Sequence, residues 1–459
     1  MDHSAQLRDT KISTLLWRFS IPAIVGMLVN ALYNIVDRIY VGQGVGSLGI
    51  AGIAISFPYM MLMMSFGMLV GMGSTALVSI KLGERKKDEA ERTLGNTLTL
   101  MVIVSIGLSV FGLLFIKPIL IISGGSETVL PYALDYLRII LIGGVFMGVG
   151  FGMNNIIRAE GNPRTAMATM LIGALMNSIL DPIFIFWFHW GIKGAAIATI
   201  LSQLVSAVWV LRYFLSGKST LHLHLKNLRL HMPIVSKIFA IGTAPFVLQI
   251  GATLLYVILN NFLNRYGGDT AISVMGIINS VNMLILMPIF GINQGSQPII
   301  GYNYGAQQFD RVKETVKTAS LSATGVVILG FIFLMAFPQQ FIMLFNKTDQ
   351  ELILMGTRAM RIIQLTLPLL GFQVVGTGYF FAVGKAKEAM FLSLTRQLLI
   401  LLPLVVILPR FFGLIGIFIA APISDGLSFV LTAIFLGIEY KKLDQKHLET
   451  FTKVNMEAS

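Results

Sequence analysis

The chain contains no cysteine, and only 12% of its residues are charged. The first absence excludes disulfides and thiolate metal sites. The second excludes an ordinary soluble globule, in which about a quarter of residues carry charge. Histidine is scarce too, with six in all. Each stands near the N-terminus, in a connection or in the tail, so no His clusters with Asp or Ser at one depth of an apolar span. An intramembrane enzyme would need such a cluster, and the chain is read as a non-enzyme. No stretch is polar and long enough for a separate soluble catalytic domain. The first apolar span is too long for a signal-peptide core and lacks a small-residue cleavage site, so no cleavable signal is expected.

What fills the chain instead is apolar sequence, 55% of it. Residues 39–80 form an uncharged run of 42, and residues 270–309 another of 40. A helix crosses a bilayer with about 20 apolar residues. Each run therefore holds the end of one span, a turn and a second span. The whole chain reads as twelve spans, centred near residues 28, 65, 106, 145, 176, 203, 250, 285, 327, 370, 399 and 426.

The sequence also repeats itself. Pro22 and Tyr33 recur as Pro245 and Tyr256, at an offset of 223. Gly73, Ser74, Gly83 and Asp88 recur as Gly295, Ser296, Gly305 and Asp310, at an offset of 222. Ala159 and Gly161 meet Ala382 and Gly384, and Gly191 and Gly194 meet Gly413 and Gly416. Six spans per repeat is an even number, which returns the chain to its starting side. The expected fold is therefore an all-α polytopic membrane protein, its two six-helix lobes related as parallel repeats. The expected divisions are a first lobe over 12–215, a cytoplasmic linker over 216–236, a second lobe over 237–440 and a cytoplasmic tail over 441–459.

Lys and Arg gather in the connections after even-numbered spans, among them Lys81, Arg85, Lys86, Lys87 and Arg92, then Lys218, Lys226, Arg229 and Lys237. Connections after odd-numbered spans carry about one each. The positive-inside rule puts both termini in the cytoplasm. The net charge of +12 thus follows from topology rather than from nucleic-acid binding, and the expected location is a prokaryotic cytoplasmic membrane. His222, His224 and His231 lie in the basic linker and are read as incidental rather than as metal ligands. Gly44, Gly46 and Gly49 fit a dinucleotide-binding spacing, but a turn between two membrane helices is not the βαβ unit that motif needs.

Charges inside spans are costly, about 2.5–3.5 kcal/mol each on insertion scales, and so point to function. Asp37 lies late in the first span, Asp181 in the fifth and Asp425 in the twelfth; Arg396 is the clearest base, in the eleventh. Asn177 precedes Asp181 by one turn on the same face. Two carboxylates with an amide neighbour can hold a proton or a cation. Asp425 and Arg396 read better as a structural pair. Pro22, inside the first span, should bend it and serve as a hinge. At the repeat offset Asp37 becomes Asn260 and Asp181 becomes Leu404, so cation coupling should reside in the first lobe.

These features converge on a known pattern. "NSILDPIFIF" followed by "GIKGAAIATILSQ", and "INQGSQPIIGYNYGA" in the second half, resemble the multidrug and toxic compound extrusion (MATE) family, prokaryotic branch, over about residues 12–440. The resemblance implies secondary active antiport: amphipathic, often cationic organic compounds leave in exchange for inward H⁺ or Na⁺ by alternating access. It implies a first-lobe cation site at Asp37, Asn177, Asp181, Asn154 and Thr199, and a cavity residue at Tyr33. No cofactor and no metal are implied beyond a possible Na⁺ at Asp37 and Asp181. The seventh span contains no acid, which argues against a second-lobe cation site. Met61 and Met64, within the Met-rich run 58–68, and Asn279 and Asn282 in the eighth span are candidate linings of a substrate cavity. A monomer working with a small-molecule substrate in a lipid bilayer, with no nucleic-acid partner, is expected. The alternative within the same superfamily is a lipid-linked oligosaccharide flippase, which would show more basic residues lining the cavity.

Overall fold

The computed structural model describes the backbone of Leu7 and of residues 10–123, 125–345 and 349–458. Side chains of residues 30, 31, 33–35, 38, 47, 253, 257, 269 and 446–458 lie outside the described set. Among the described residues there is no strand. Eleven helices are long and apolar enough to cross a membrane, and a bent pair makes twelve. In the first half these are α1 (Ile12–Gly44), α2 (Ser47–Gly83), α3 (Lys87–Leu114), α4 (Leu130–Ile142 with Gly144–Ala159), α5 (Pro163–Pro182, continued by a π turn over Ile183–Trp187) and α6 (Gly191–Leu215). In the second half they are α7 (Met232–Gly268), α8 (Thr270–Gly305), α9 (Phe309–Ala336), α10 (Gln350–Ala382), α11 (Ala386–Ile407) and α12 (Pro409–Gln445). α4 bends by 53° at Gly143.

The polypeptide forms two compact units. One contains Val25–Phe246; the other contains Thr10–Ile24 and Val247 onward. The first turns of α1 thus belong with the second half, and the first turns of α7, together with the segment before it, belong with the first half. The changeover falls two residues after Pro22 and one residue after Pro245. Proline removes a helical N–H and crowds the preceding turn, so the sequence puts the weakest turn of each helix beside its changeover. α1 itself runs unbroken through Pro22.

The repeated glycines now have a physical reason. A Cβ on Gly73 of α2 would lie 2.1 Å from the carbonyl oxygen of Ile238 and 3.1 Å from the nitrogen of Gly242, both in the first turns of α7. A Cβ on Gly295 of α8 would lie 2.8 Å from the nitrogen of Ser20, in the first turns of α1. Gly73 matches Gly295, and Gly242 matches Ser20, at the same offset of 222. Each unit therefore makes the same close helix crossing, and only glycine permits the backbones to approach so far.

Large apolar side chains cover the outside of both units, including Ile103, Ile106, Val110, Leu329, Ile332, Ile434 and Ile438. Lipid makes this arrangement stable, because outward apolar surface costs nothing there. Trp187 and Trp190 stand at the end of α5 and the start of α6, where Phe184, Phe188 and Trp190 stack with ring centres 5.2–5.9 Å apart, as suits a membrane interface.

Candidate functional site

The first unit gathers its intramembrane acids. Asp181 on α5 and Asp37 on α1 are within hydrogen-bonding reach of each other. Asn177 Nδ2 donates to Asp181 Oδ1 at 3.2 Å. Asp181 is fully buried, and Asn177, Asn154 on α4 and Asp37 are nearly so. Asp181 Oδ2, Asn177 Oδ1 and Asn154 Oδ1 meet no hydrogen-bond partner among the described residues. Buried acceptors are normally satisfied. A buried cluster of oxygen acceptors short of donors is chemically suited to a proton or a hard cation, which carboxylate and amide oxygens bind.

Thr199 on α6 is half-buried, and its hydroxyl donates to Ala195 O at 3.0 Å. Among the described residues neither Asn154 nor Thr199 bonds to an acid. The structure thus brings together Asp37, Asp181 and Asn177, leaving Asn154 and Thr199 as buried or half-buried polar residues not bonded to the acids. The side chain of Tyr33 lies outside the described residues.

Local sequence positions these groups. Pro182 follows Asp181 directly, and the chain then widens into the π turn, closed by Phe188 N–H donating to Ile183 O at 2.9 Å. Such turns often mark functional positions. One turn beyond each acid the chain becomes apolar: Val41 and Ile185 pack in one buried cluster with Ile53, Tyr136, Ile140, Ile192, Ala195 and Ala196. This cluster closes the site on the side of the α1–α2 turn. Gly44 lets the end of α1 press against the π turn, since a Cβ there would lie 2.2 Å from Ile185 Cγ2.

Among the described residues the second unit has no equivalent pair. Asp425 accepts from Arg396 Nε at 2.7 Å and from Thr366 Oγ1 at 3.4 Å, so the acid of α12 is neutralised in place. Arg396 lies in a second π turn, Thr395–Leu401. Asn282 accepts from the buried Gln364 on α10 at 2.5 Å, whereas Asn279 is exposed. Met61 is half-buried and Met64 exposed on α2. Among the described residues no three His, Asp or Glu side chains are placed to hold a metal ion.

Sequence reading missed a polar system around the 216–237 segment. Asn96 on α3 bonds to Asn227 O, Arg229 O and His231 N–H. Glu91 accepts from His222 N–H and faces the imidazoles of His222 and His224 at 3.4 and 3.3 Å. Glu160, between α4 and α5, accepts from Tyr213 and Ser219. In the sequence Glu91, Asn96 and Glu160 carry no pattern that ties them to a segment so far along the chain.

The comparisons with known proteins point to one family. The MatE family model matches twice, over residues 22–183 and 246–407, once in each repeat. The multidrug export protein MepA of Staphylococcus aureus strain MSSA476 is 28% identical over 411 residues, covering 89% of this chain and 90% of that protein. MepA of Staphylococcus haemolyticus is 26% identical over 409 residues, covering 89% and 90%. The structure of the MATE multidrug transporter DinF-BH in complex with rhodamine 6G is 43% identical, with a TM-score of 0.86 over 92% of this chain and 95% of that one. A MATE structure in the bent conformation shares the fold at a TM-score of 0.92 and 24% identity, covering 98% and 99%. With twelve spans, a double match to the repeat and relatives aligned nearly end to end, the chain belongs to the MatE family of multidrug efflux transporters.

Proposed function

We propose that the protein is a secondary active antiporter that exports amphipathic, often cationic organic compounds in exchange for inward H⁺ or Na⁺. The observation that carries this reading is the contact between Asp37 and Asp181, buried with Asn177 in the first unit. Two carboxylates so placed share a proton or hold a cation between them, because neither can carry an isolated charge cheaply in a dry site. Loading and unloading that site changes the charge at the heart of the first unit. Pro22, beside the changeover in α1, is the proposed hinge through which the change acts. Met61, Met64, Asn279, Asn282 and Tyr33 are the proposed lining for substrate, and Asn154 and Thr199 complete the proposed cation site. The protein works as a monomer in the prokaryotic cytoplasmic membrane with both termini inside. The relatives named as multidrug export proteins favour drugs over lipid-linked oligosaccharide as substrate, and the DinF-BH complex makes rhodamine 6G a suitable probe.

The test is rhodamine 6G efflux from proteoliposomes, with pH and Na⁺ gradients imposed separately. One gradient should drive efflux in the native protein, and Asp37→Asn and Asp181→Asn should each abolish the driven component. Undiminished efflux in both variants would refute the mechanism.

A further inference from the structure

We propose that Glu160 is a proton-binding site separate from the Asp37/Asp181 pair, and that its proton governs how the 216–231 segment is held against the first unit. This goes beyond the antiport reading and does not depend on which ion that exchange uses.

Glu160 follows α4 and is fully buried. Tyr213 Oη donates to its Oε1, Ser219 Oγ to its Oε2 at 2.5 Å, and Leu221 N–H to its Oε2 at 3.3 Å. Ser219 and Leu221 belong to the 216–231 segment, and Leu221 is itself fully buried. The carboxyl group is thus the peg on which that segment hangs. These donors are neutral, as is the backbone N–H of Thr220, which also bonds to the carboxyl. Asn162 Nδ2 donates to Tyr213 Oη at 3.1 Å and extends the chain without adding charge. Arg158, two residues away, donates to Asn155 Oδ1 instead.

The second unit provides the contrast. Glu439 is also buried and also accepts from a tyrosine, Tyr379, at 3.1 Å. There Lys385 Nζ lies 2.5 Å from both carboxylate oxygens. Glu160 has no such ammonium among its bonded partners. Burial pushes its carboxyl up from 4.5 to about 7, against the downward pull of the Ser219, Tyr213 and backbone hydrogen bonds.

The sign follows. A raised carboxyl favours the closed arrangement fully below its ordinary value, and that advantage fades as pH rises through about 7. Above that, a buried carboxylate without a cation gains by reaching water, and the segment must lift to let it. Other titratable groups hold the same segment: Glu91 faces His222, His224 and Lys87. Protonated imidazoles would strengthen that contact, so it acts in the same direction and must be separated by experiment. Lys218, beside Ser219, is exposed.

The full-length protein in detergent is cleaved by trypsin at Lys218 and Lys226, with rates normalised at each pH to a small peptide substrate. Native protein should open about tenfold more readily at about pH 8 than at about pH 6, as one carboxyl titrating near neutrality requires. His222→Gln with His224→Gln should keep that step. Glu160→Gln, a neutral isostere of the protonated form, should abolish it. Ser219→Ala removes a donor to the anion and should move the step to higher pH. A carboxylic-acid infrared band that titrates near neutrality should persist in Asp37→Asn/Asp181→Asn and vanish in Glu160→Gln. A cleavage step unchanged in Glu160→Gln, or no neutral-pH band in the native protein, overturns the proposal.

Discussion

Replacing Asp181 by asparagine should stabilise the protein while destroying its driven transport. Asp181 is fully buried and meets another acid, Asp37, and one amide donor. Among the described residues no amide, hydroxyl or backbone donor meets its second oxygen, nor Asn177 Oδ1 or Asn154 Oδ1. Asparagine keeps the oxygen that accepts from Asn177 and replaces the other with an NH₂ group. That group offers hydrogens to a neighbourhood rich in acceptors. Satisfying one or two orphaned buried groups is worth about 1–3 kcal/mol. For a large domain this corresponds to a rise in Tm of about 2–10 °C. Asp181→Ala lacks the compensation: it leaves Asn177 Nδ2 unpaired and opens a small cavity. It should be clearly less stable than Asp181→Asn. Thermal unfolding in detergent, followed by tryptophan fluorescence, measures both variants against the native protein. If Asp181→Asn melts as low as Asp181→Ala, the site is a satisfied structural network and the reasoning fails. A gain in stability with loss of function is what strain kept for function produces.

Two further substitutions test the frame around the site. Gly242→Ala puts a Cβ 1.7 Å from Leu69 O, so it should cost about 3 kcal/mol or more; Gly276→Ala, which meets nothing within 4 Å, should leave Tm almost unchanged. Arg396→Gln strands the Asp425 carboxylate and should cost about 3 kcal/mol, the low end of the buried-pair range because the Arg396 side chain is 32% exposed. Adding Asp425→Asn should recover most of that loss in the same melting assay.

The spans and the repeat were legible because both follow from simple physics read along one chain. A bilayer demands about 20 apolar residues per helix, and a close crossing demands glycine wherever it occurs, so Gly73 and Gly295 survive at matching positions. The intramembrane acids were legible because charge in an apolar run stands out, and the one-turn spacing of Asn177 and Asp181 put them on one face. The pairing of Asp425 with Arg396 was legible from neighbouring spans. The clasp on the 216–237 segment was not. Asn96 reaches partners 131–135 residues away, and Glu91 reaches His222 across 131. No periodicity encodes which polar side chain at a helix end will meet a loop that far along. The changeover of α1 and α7 between units was also hidden: Pro22 and Pro245 signal bends, but composition does not say which half the first turns will join.

Apart from Glu91, which faces Lys87 and two histidines, the two units handle the buried acids described above in opposite ways. In the second unit Asp425 meets Arg396 and Glu439 meets Lys385. Each charge is cancelled internally, so protonating either acid would break a pair and leave its basic partner unneutralised. In the first unit Asp181 meets Asp37 and an amide, and Glu160 meets hydroxyls and a backbone N–H. Among the described residues neither has a protein cation among its bonded partners, so on the proposed reading the neutralising charge comes from outside. A mobile cation can change the charge of a site only where the protein has not already supplied one. The duplicated helices build two similar frames, and among the described residues the placement of basic residues is what would confine an ion response to the first, as the proposed antiport requires.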